Sequence, residues 1–143
     1  DADEAIRRLR DPARRMLPIA QSLLDQRALA GIGNVYKSEV LWIERVSPFT
    51  PTSDVTDEAL ARLIATARRL LLTNVDPGHG PERITTTGDR GAPGPLYVYG
   101  RAGRPCRRCR TPIARASQGG DLPRLTFWCP ACQPGPRIIA PDV

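Results

Sequence analysis

A chain of 143 residues, 41% of them hydrophobic, is long enough for one ordinary core plus a small satellite module. It has no apolar run near the roughly 20 residues of a membrane span and nothing like a signal peptide, so no membrane association is expected and the expected compartment is the cytoplasm. The net charge of +6 is localised: residues 1–82 hold eleven basic and twelve acidic side chains, residues 83–124 nine and two, and residues 125–143 one of each.

Twenty of the 21 basic residues are arginines, whose planar fork suits phosphate oxygens. Such a basic stretch expects a polyanion, with nucleic acid the first candidate. On charge alone, a solvated arginine-rich surface explains it equally well. The chain starts at Asp1 without an initiator methionine, and the expectation is an excised piece of a longer protein.

Residues 1–10 read as a short helix, with Asp1 or Asp3 as N-cap and Glu4 in the first turn, interrupted by Pro12. Ile19, Leu23 and Leu24 share one helical face running to about Arg27. The stretch Leu29-Ala30-Gly31-Ile32-Gly33-Asn34 breaks the pattern with two glycines. A second helix is then predicted from Val35 through Glu39, Val40 and Ile43 to Val46, ended by Pro48 and Pro51. The strongest periodicity runs from Thr56 or Asp57 to Thr73. There Leu60, Leu63, Ile64, Ala67, Leu70 and Leu71 form an apolar stripe for core packing, opposite a solvated face of Arg62, Arg68 and Arg69. Residues 76–95, rich in Gly, Pro and Thr, read as a long loop. Leu96–Tyr99 and Leu125–Trp128 read as short strands beside the cysteine pairs, and the proline-bearing end reads as a tail.

The cysteines are spaced Cys106-x-x-Cys109, nineteen residues, Cys129-x-x-Cys132. A two-residue gap lets one tight turn present two thiolates to a tetrahedral ion, and two such knuckles close the site. A closed four-thiolate site leaves no open position, so its single Zn²⁺ is structural. Two disulfides, a redox dithiol or unrelated buried cysteines are the alternatives; the paired spacing and the absence of an export signal favour zinc.

Gly31 and Gly33 lie between two predicted helices, where they permit close backbone approach, and Asn34 occupies an N-cap position. The following helix N-terminus offers unpaired N–H groups to a phosphate. The spacing fits neither a dinucleotide fingerprint nor a P-loop.

Leu24-Asp25-Gln26 followed by Gly31-Ile32-Gly33-Asn34-Val35-Tyr36-Lys37-Ser38-Glu39 resembles the helix–two-turns–helix signature of the formamidopyrimidine-DNA glycosylase/endonuclease VIII family. Val98-Tyr99-Gly100-Arg101, Gly103, Pro105-Cys106, Cys109, Thr111-Pro112-Ile113 and Arg124-Leu125-Thr126-Phe127-Trp128-Cys129-Pro130-x-Cys132-Gln133 resemble its zinc finger. Both motifs stand in the family's order and cover nearly the whole chain.

The resemblance implies a mostly α fold: a helix–two-turns–helix bundle over residues 1–78, a linker over 79–95, a β-hairpin four-cysteine finger over 96–133 and a tail over 134–143. It implies damaged double-stranded DNA as partner, a monomer, and a prokaryotic, nucleoid-associated cytoplasmic setting. It also implies DNA contacts at Asn34, Arg124 and Tyr99, with Gly31, Gly33 and Lys37 in the same motif; Glu39 is expected to stabilise the helix pair. Asn34 resembles the Asn that bonds backbone phosphate, and Arg124 the Arg that clamps phosphates around a flipped-out nucleotide. The family's enzymes excise oxidised bases and cleave the abasic strand with an amino-terminal proline carried by a β-sandwich domain. The match covers only their carboxy-terminal half, so the expectation is DNA binding with no catalytic residue in this chain and no borohydride-trappable complex. Residues 84–90 lie where purine-preferring relatives often carry a lesion-capping loop; here they look more like the endonuclease VIII branch, which favours oxidised pyrimidines. A stand-alone, non-catalytic nucleic-acid-binding or scaffold module is the alternative.

Overall fold

The computed structural model describes residues 2–25, 33–73, 85–88, 94–119 and 124–135. Helix α1 (Ala2–Leu9) places Asp3 and Glu4 in its first turn and Arg7 and Arg8 in its last, each sign at the helix end that favours it. Its Ala5 and Leu9 turn inward. The chain then makes a 3₁₀ turn over Pro12–Arg14, capped by the Asp11 carboxylate, which accepts from the Ala13 N–H at 3.0 Å. Helix α2 (Ile19–Leu24) follows Pro18, and its first N–H donates to the Thr50 carbonyl at 2.7 Å. Gln26, Arg27 and residues 28–32 lie outside the described residues.

Helix α3 spans Asn34–Ile43 and helix α4 Asp57–Thr73. The predicted stripe of α4 is buried through Leu60, Leu63, Ile64, Ala67 and Leu70, against Leu9, Ile19, Leu23, Val40 and Leu41. The Thr56 hydroxyl caps α4 by accepting from the Ala59 N–H at 3.1 Å. Arg10 clamps the base of this bundle, donating to the Asp57 carboxylate at 2.8 Å and to the Thr52 carbonyl at 3.0 Å. Among the described residues no helix is long and apolar enough to cross a membrane.

The end of α3 differs from expectation. The helix stops at Ile43 rather than Val46, because Arg45 adopts a left-handed backbone with φ 61°. The Val46 N–H then returns to the Leu41 carbonyl at 2.9 Å and the Arg45 N–H to that of Trp42 at 3.2 Å, a Schellman closure made without glycine.

Strands β1 (Ala114–Gln118) and β2 (Arg124–Trp128) form one antiparallel hairpin, with Ala114 opposite Trp128 and Gln118 opposite Arg124. β2 was expected; β1, an Ala-Arg-Ala-Ser-Gln segment, carries little strand propensity and is paired into being by β2. The predicted strand over Leu96–Tyr99 is instead a turn, because its N–H groups bond to a carboxylate and not to a neighbouring strand. A second apolar cluster, of Trp42, Val98, Ile113, Phe127 and the buried cysteines, joins α3 to the hairpin.

Candidate nucleic-acid interface and metal centre

The two Cys-x-x-Cys turns converge so that all four sulfurs lie within 4.8 Å of one another. Cys106 and Cys132 stand 3.8 Å apart and Cys109 and Cys129 3.4 Å apart. These separations approach the edge of about 3.8 Å that four Zn–S bonds of about 2.3 Å give a tetrahedron. A disulfide needs about 2.05 Å, so the cluster is a metal-ligand set and not a pair of disulfides. Without metal the thiols are unequal: Thr111 pulls Cys109 down to about 6, while burial pushes Cys129 up to about 12. The donor set fits one zinc ion held by thiolates, and two of the sulfurs have donors suited to that charge. The Trp42 indole and the Arg108 backbone each donate to Cys106 at 3.4 Å, and the Arg108 guanidinium donates to Cys132 at the same distance.

The finger is tied to α3 by a row of polar side chains. Lys37, Ser38 and Glu39 follow one another on the helix and are all fully buried. Ser38 accepts from the Phe127 N–H at 3.2 Å. Glu39 accepts from the N–H groups of Tyr97, Val98 and Tyr99 at 2.7, 2.8 and 2.9 Å, and from the Thr86 hydroxyl. Glu39 therefore holds the turn before the first knuckle, where a role in the helix pair was expected. Further along α3, Trp42 stacks on Tyr97 with ring centres 4.2 Å apart and carries the Arg108 guanidinium 3.8 Å above its own ring. Gln133 completes the attachment by accepting from the Cys129 N–H at 2.8 Å and donating to the Val46 carbonyl at 3.0 Å.

The predicted DNA contacts gather where the α3 N-terminus meets β2. Asn34 is the first residue of α3, with Gly33 as its N-cap, so the expected N-cap role of Asn34 is corrected by one position. The Asn34 amide donates to the Leu125 carbonyl at 3.1 Å and to the Tyr99 hydroxyl at 3.3 Å. Tyr99 is half-buried, its ring edge-on to Phe127. Arg124 is exposed at the start of β2. Among the described residues, a Cβ placed on Gly33 would meet no atom within 4 Å. Gly31 lies outside the described residues.

Lys37, expected among the DNA contacts, is withdrawn from the surface. Its ammonium donates to Asn34 Oδ1 at 2.7 Å, Thr126 Oγ1 at 2.8 Å and the Leu125 carbonyl at 3.1 Å. With its three protons engaged and no exposed area, it has nothing to give a phosphate directly. Burial, and secondarily the nearby Arg124, bring its pKa down to about 8.

The formamidopyrimidine-DNA glycosylase H2TH domain matches residues 2–86, more than half of the chain, and the zinc finger found in FPG and IleRS matches residues 103–135. The chain belongs to the formamidopyrimidine-DNA glycosylase H2TH family. It is 48% identical over 138 residues to "Probable endonuclease 8 2" of Streptomyces coelicolor, covering 95% of this chain and 47% of that protein. It is 44% identical over 123 residues to the "DNA-(apurinic or apyrimidinic site) lyase Nei2" of Mycolicibacterium smegmatis, covering 86% and 44%. Lactococcus lactis Fpg, solved with abasic-site DNA, superposes with a TM-score of 0.73 at 29% identity, over 93% of this chain and 47% of that one. The chain thus spans about half the length of the relatives it matches.

Within this H2TH family chain, sequence reasoning found the four zinc ligands, and it missed the residues that attach the finger. Trp42 and Gln133 carry no spacing signal, because their partners lie 64 and 87 residues away.

Proposed function

We propose that this chain is the DNA-binding region of a base-excision DNA glycosylase/AP lyase of the endonuclease VIII type, acting on oxidised bases, with pyrimidines favoured, in damaged double-stranded DNA. The observation that carries this reading is the direct hydrogen bonding of Asn34, at the tip of α3, to Tyr99 and to the β2 backbone beside Arg124. On this reading the α3 N-terminus, the Tyr99 phenol and Arg124, next to Leu125 on β2, share one edge at which a phosphate is bound. The relatives' names support the endonuclease VIII branch and the lyase step. The zinc takes no part in the chemistry: it holds the hairpin from which Arg124 projects.

On this reading the chain acts as a monomer in the bacterial cytoplasm, bound to the nucleoid. Base excision and strand cleavage require the portion of the relatives that this chain does not match. The single lysine is buried and engaged, so its side-chain amine is not offered for Schiff-base formation, and borohydride treatment with abasic DNA traps no covalent complex through Lys37. A duplex carrying an abasic-site analogue binds, and its affinity falls steeply with salt, as phosphate contacts demand. Arg124→Ala weakens binding about tenfold across sequences and flattens the salt slope by about one. Unchanged affinity in Arg124→Ala, measured by fluorescence anisotropy, removes the clamp from the proposal.

A further inference from the structure

Among the described residues, Lys37 is the largest side chain wholly withdrawn from solvent. Burying an ammonium is costly unless it is well paired, yet its three protons go to neutral oxygens of Asn34, Thr126 and Leu125. The groups around it do not neutralise it. From β2, Arg124 repels it. On α3 itself, the Glu39 carboxylate is committed to the 97–99 turn and Thr86. From that turn, the Tyr99 phenol is tied to Asn34, and from β1 the neutral Gln118 accepts from Thr126. A methionine would fill the same volume without the charge.

The hydrogen bonds around this cation have a direction. Lys37 donates to Asn34 Oδ1, which turns the Asn34 NH₂ toward Tyr99 and the Leu125 carbonyl. Tyr99 accepts through its hydroxyl oxygen, so its own proton is left to point outward. With the carboxamide reversed, Oδ1 would demand that proton and leave none for an anion.

We propose that Lys37 is a positioning residue for DNA phosphate: it sets the chain Lys37 to Asn34 to Tyr99 so that Tyr99 donates outward, and it places a second positive charge beneath Arg124 without touching the DNA. This rests on the DNA-binding reading above and assigns an inner part to it. A phosphate at the Tyr99 proton favours charged Lys37, so affinity is full below about pH 8 and falls as pH rises beyond it, the bound anion moving the midpoint upward.

The test is a double-mutant cycle on the full chain, with a duplex carrying an abasic-site analogue as probe. Zinc content and helicity serve as controls. Lys37→Met weakens binding about tenfold, the scale of one charge-assisted hydrogen bond. Tyr99→Phe costs about fivefold in the wild-type chain and under about twofold in the Lys37→Met background. Lys37→Arg, which keeps the charge, recovers part of the loss. Additive effects of Lys37→Met and Tyr99→Phe overturn the proposal, as does wild-type affinity in folded Lys37→Met. Should Lys37→Met not retain zinc, the wild-type pH profile decides: a fall of about tenfold between roughly pH 7.5 and 9.5 supports the proposal, and a flat profile overturns it. An Arg124→Ala variant run alongside separates the two failures, since its indifference to the probe would sink the interface itself and not only the inner cation.

Discussion

The two halves of the molecule are held by different forces. The bundle of α1, α2, α3 and α4 rests on one apolar core in which Ile19, Leu23, Leu41, Leu60 and Leu63 are fully buried, the ordinary hydrophobic solution for a helical domain. The finger has a two-stranded hairpin, a handful of apolar side chains and four cysteines. A hairpin of that size has too little core to stand alone. It is fastened by metal on the inside and by buried polar bonds to α3 on the outside. The lesson is that α3 serves two masters: Tyr36, Val40 and Leu41 face the bundle, while Lys37, Ser38, Glu39 and Trp42 face the finger. The candidate DNA edge lies on that seam, so its geometry depends on both kinds of force at once.

Removing zinc should break the comparison most severely. Structural zinc sites contribute on the order of 10–16 kcal/mol of binding free energy that is inseparable from folding. On chelation the hairpin unfolds and DNA affinity is lost, while α4 stays folded on its own core. Hydrogen exchange reads this directly: protection vanishes over β1 and β2 and persists from Leu60 to Leu70. If α4 exchanges in step with the hairpin, the halves are one cooperative unit and the distinction falls.

Glu39→Gln sharpens the comparison with a smaller effect. The carboxylate accepts three backbone N–H groups and one hydroxyl while fully buried. An amide of the same shape turns one acceptor into a donor facing an N–H, at a cost of about 2–3 kcal/mol. Chemical denaturation should register that loss, with exchange protection falling first around residues 97–99 and the finger and last in α4. A uniform loss, or none, would mean that the polar tether carries less of the finger's attachment than its bonds indicate.

How legible each half was in the sequence follows from the same contrast. The α4 stripe declares itself because helical packing repeats every 3.6 residues, and β2 because Leu-Thr-Phe-Trp carries strand propensity of its own. The zinc ligands are legible because their geometry is imposed over two-residue gaps. The Leu96–Tyr99 stretch is not the strand its apolar residues predict, because they do not reveal that their N–H groups are taken by Glu39, 58 to 60 residues earlier. The motif puts Lys37 among the DNA contacts because it does not show that Leu125 and Thr126, 88 and 89 residues later, accept from its ammonium. The scaffold is written locally. The seam is written across distances that periodicity does not span.

The smallest effect probes the point where α3 ends and its two roles stop. Arg45 closes the helix in a left-handed conformation, φ 61°, at the C′ position that glycine commonly occupies. For an L-residue this backbone costs about 1–2 kcal/mol, and glycine adopts it freely but loses more entropy on folding. Arg45→Gly should therefore stabilise the chain by about 0.5–1 kcal/mol, since both Schellman bonds, from Val46 to Leu41 and from Arg45 to Trp42, are backbone bonds that survive. The Val46 carbonyl also accepts from Gln133, so firmer closure there firms the finger's attachment as well as the helix. A thermal melt gives the size of the gain. If Arg45→Gly lowers stability instead, the arginine side chain is contributing more than its backbone strain costs, and the closure of α3 belongs to the finger side of the seam.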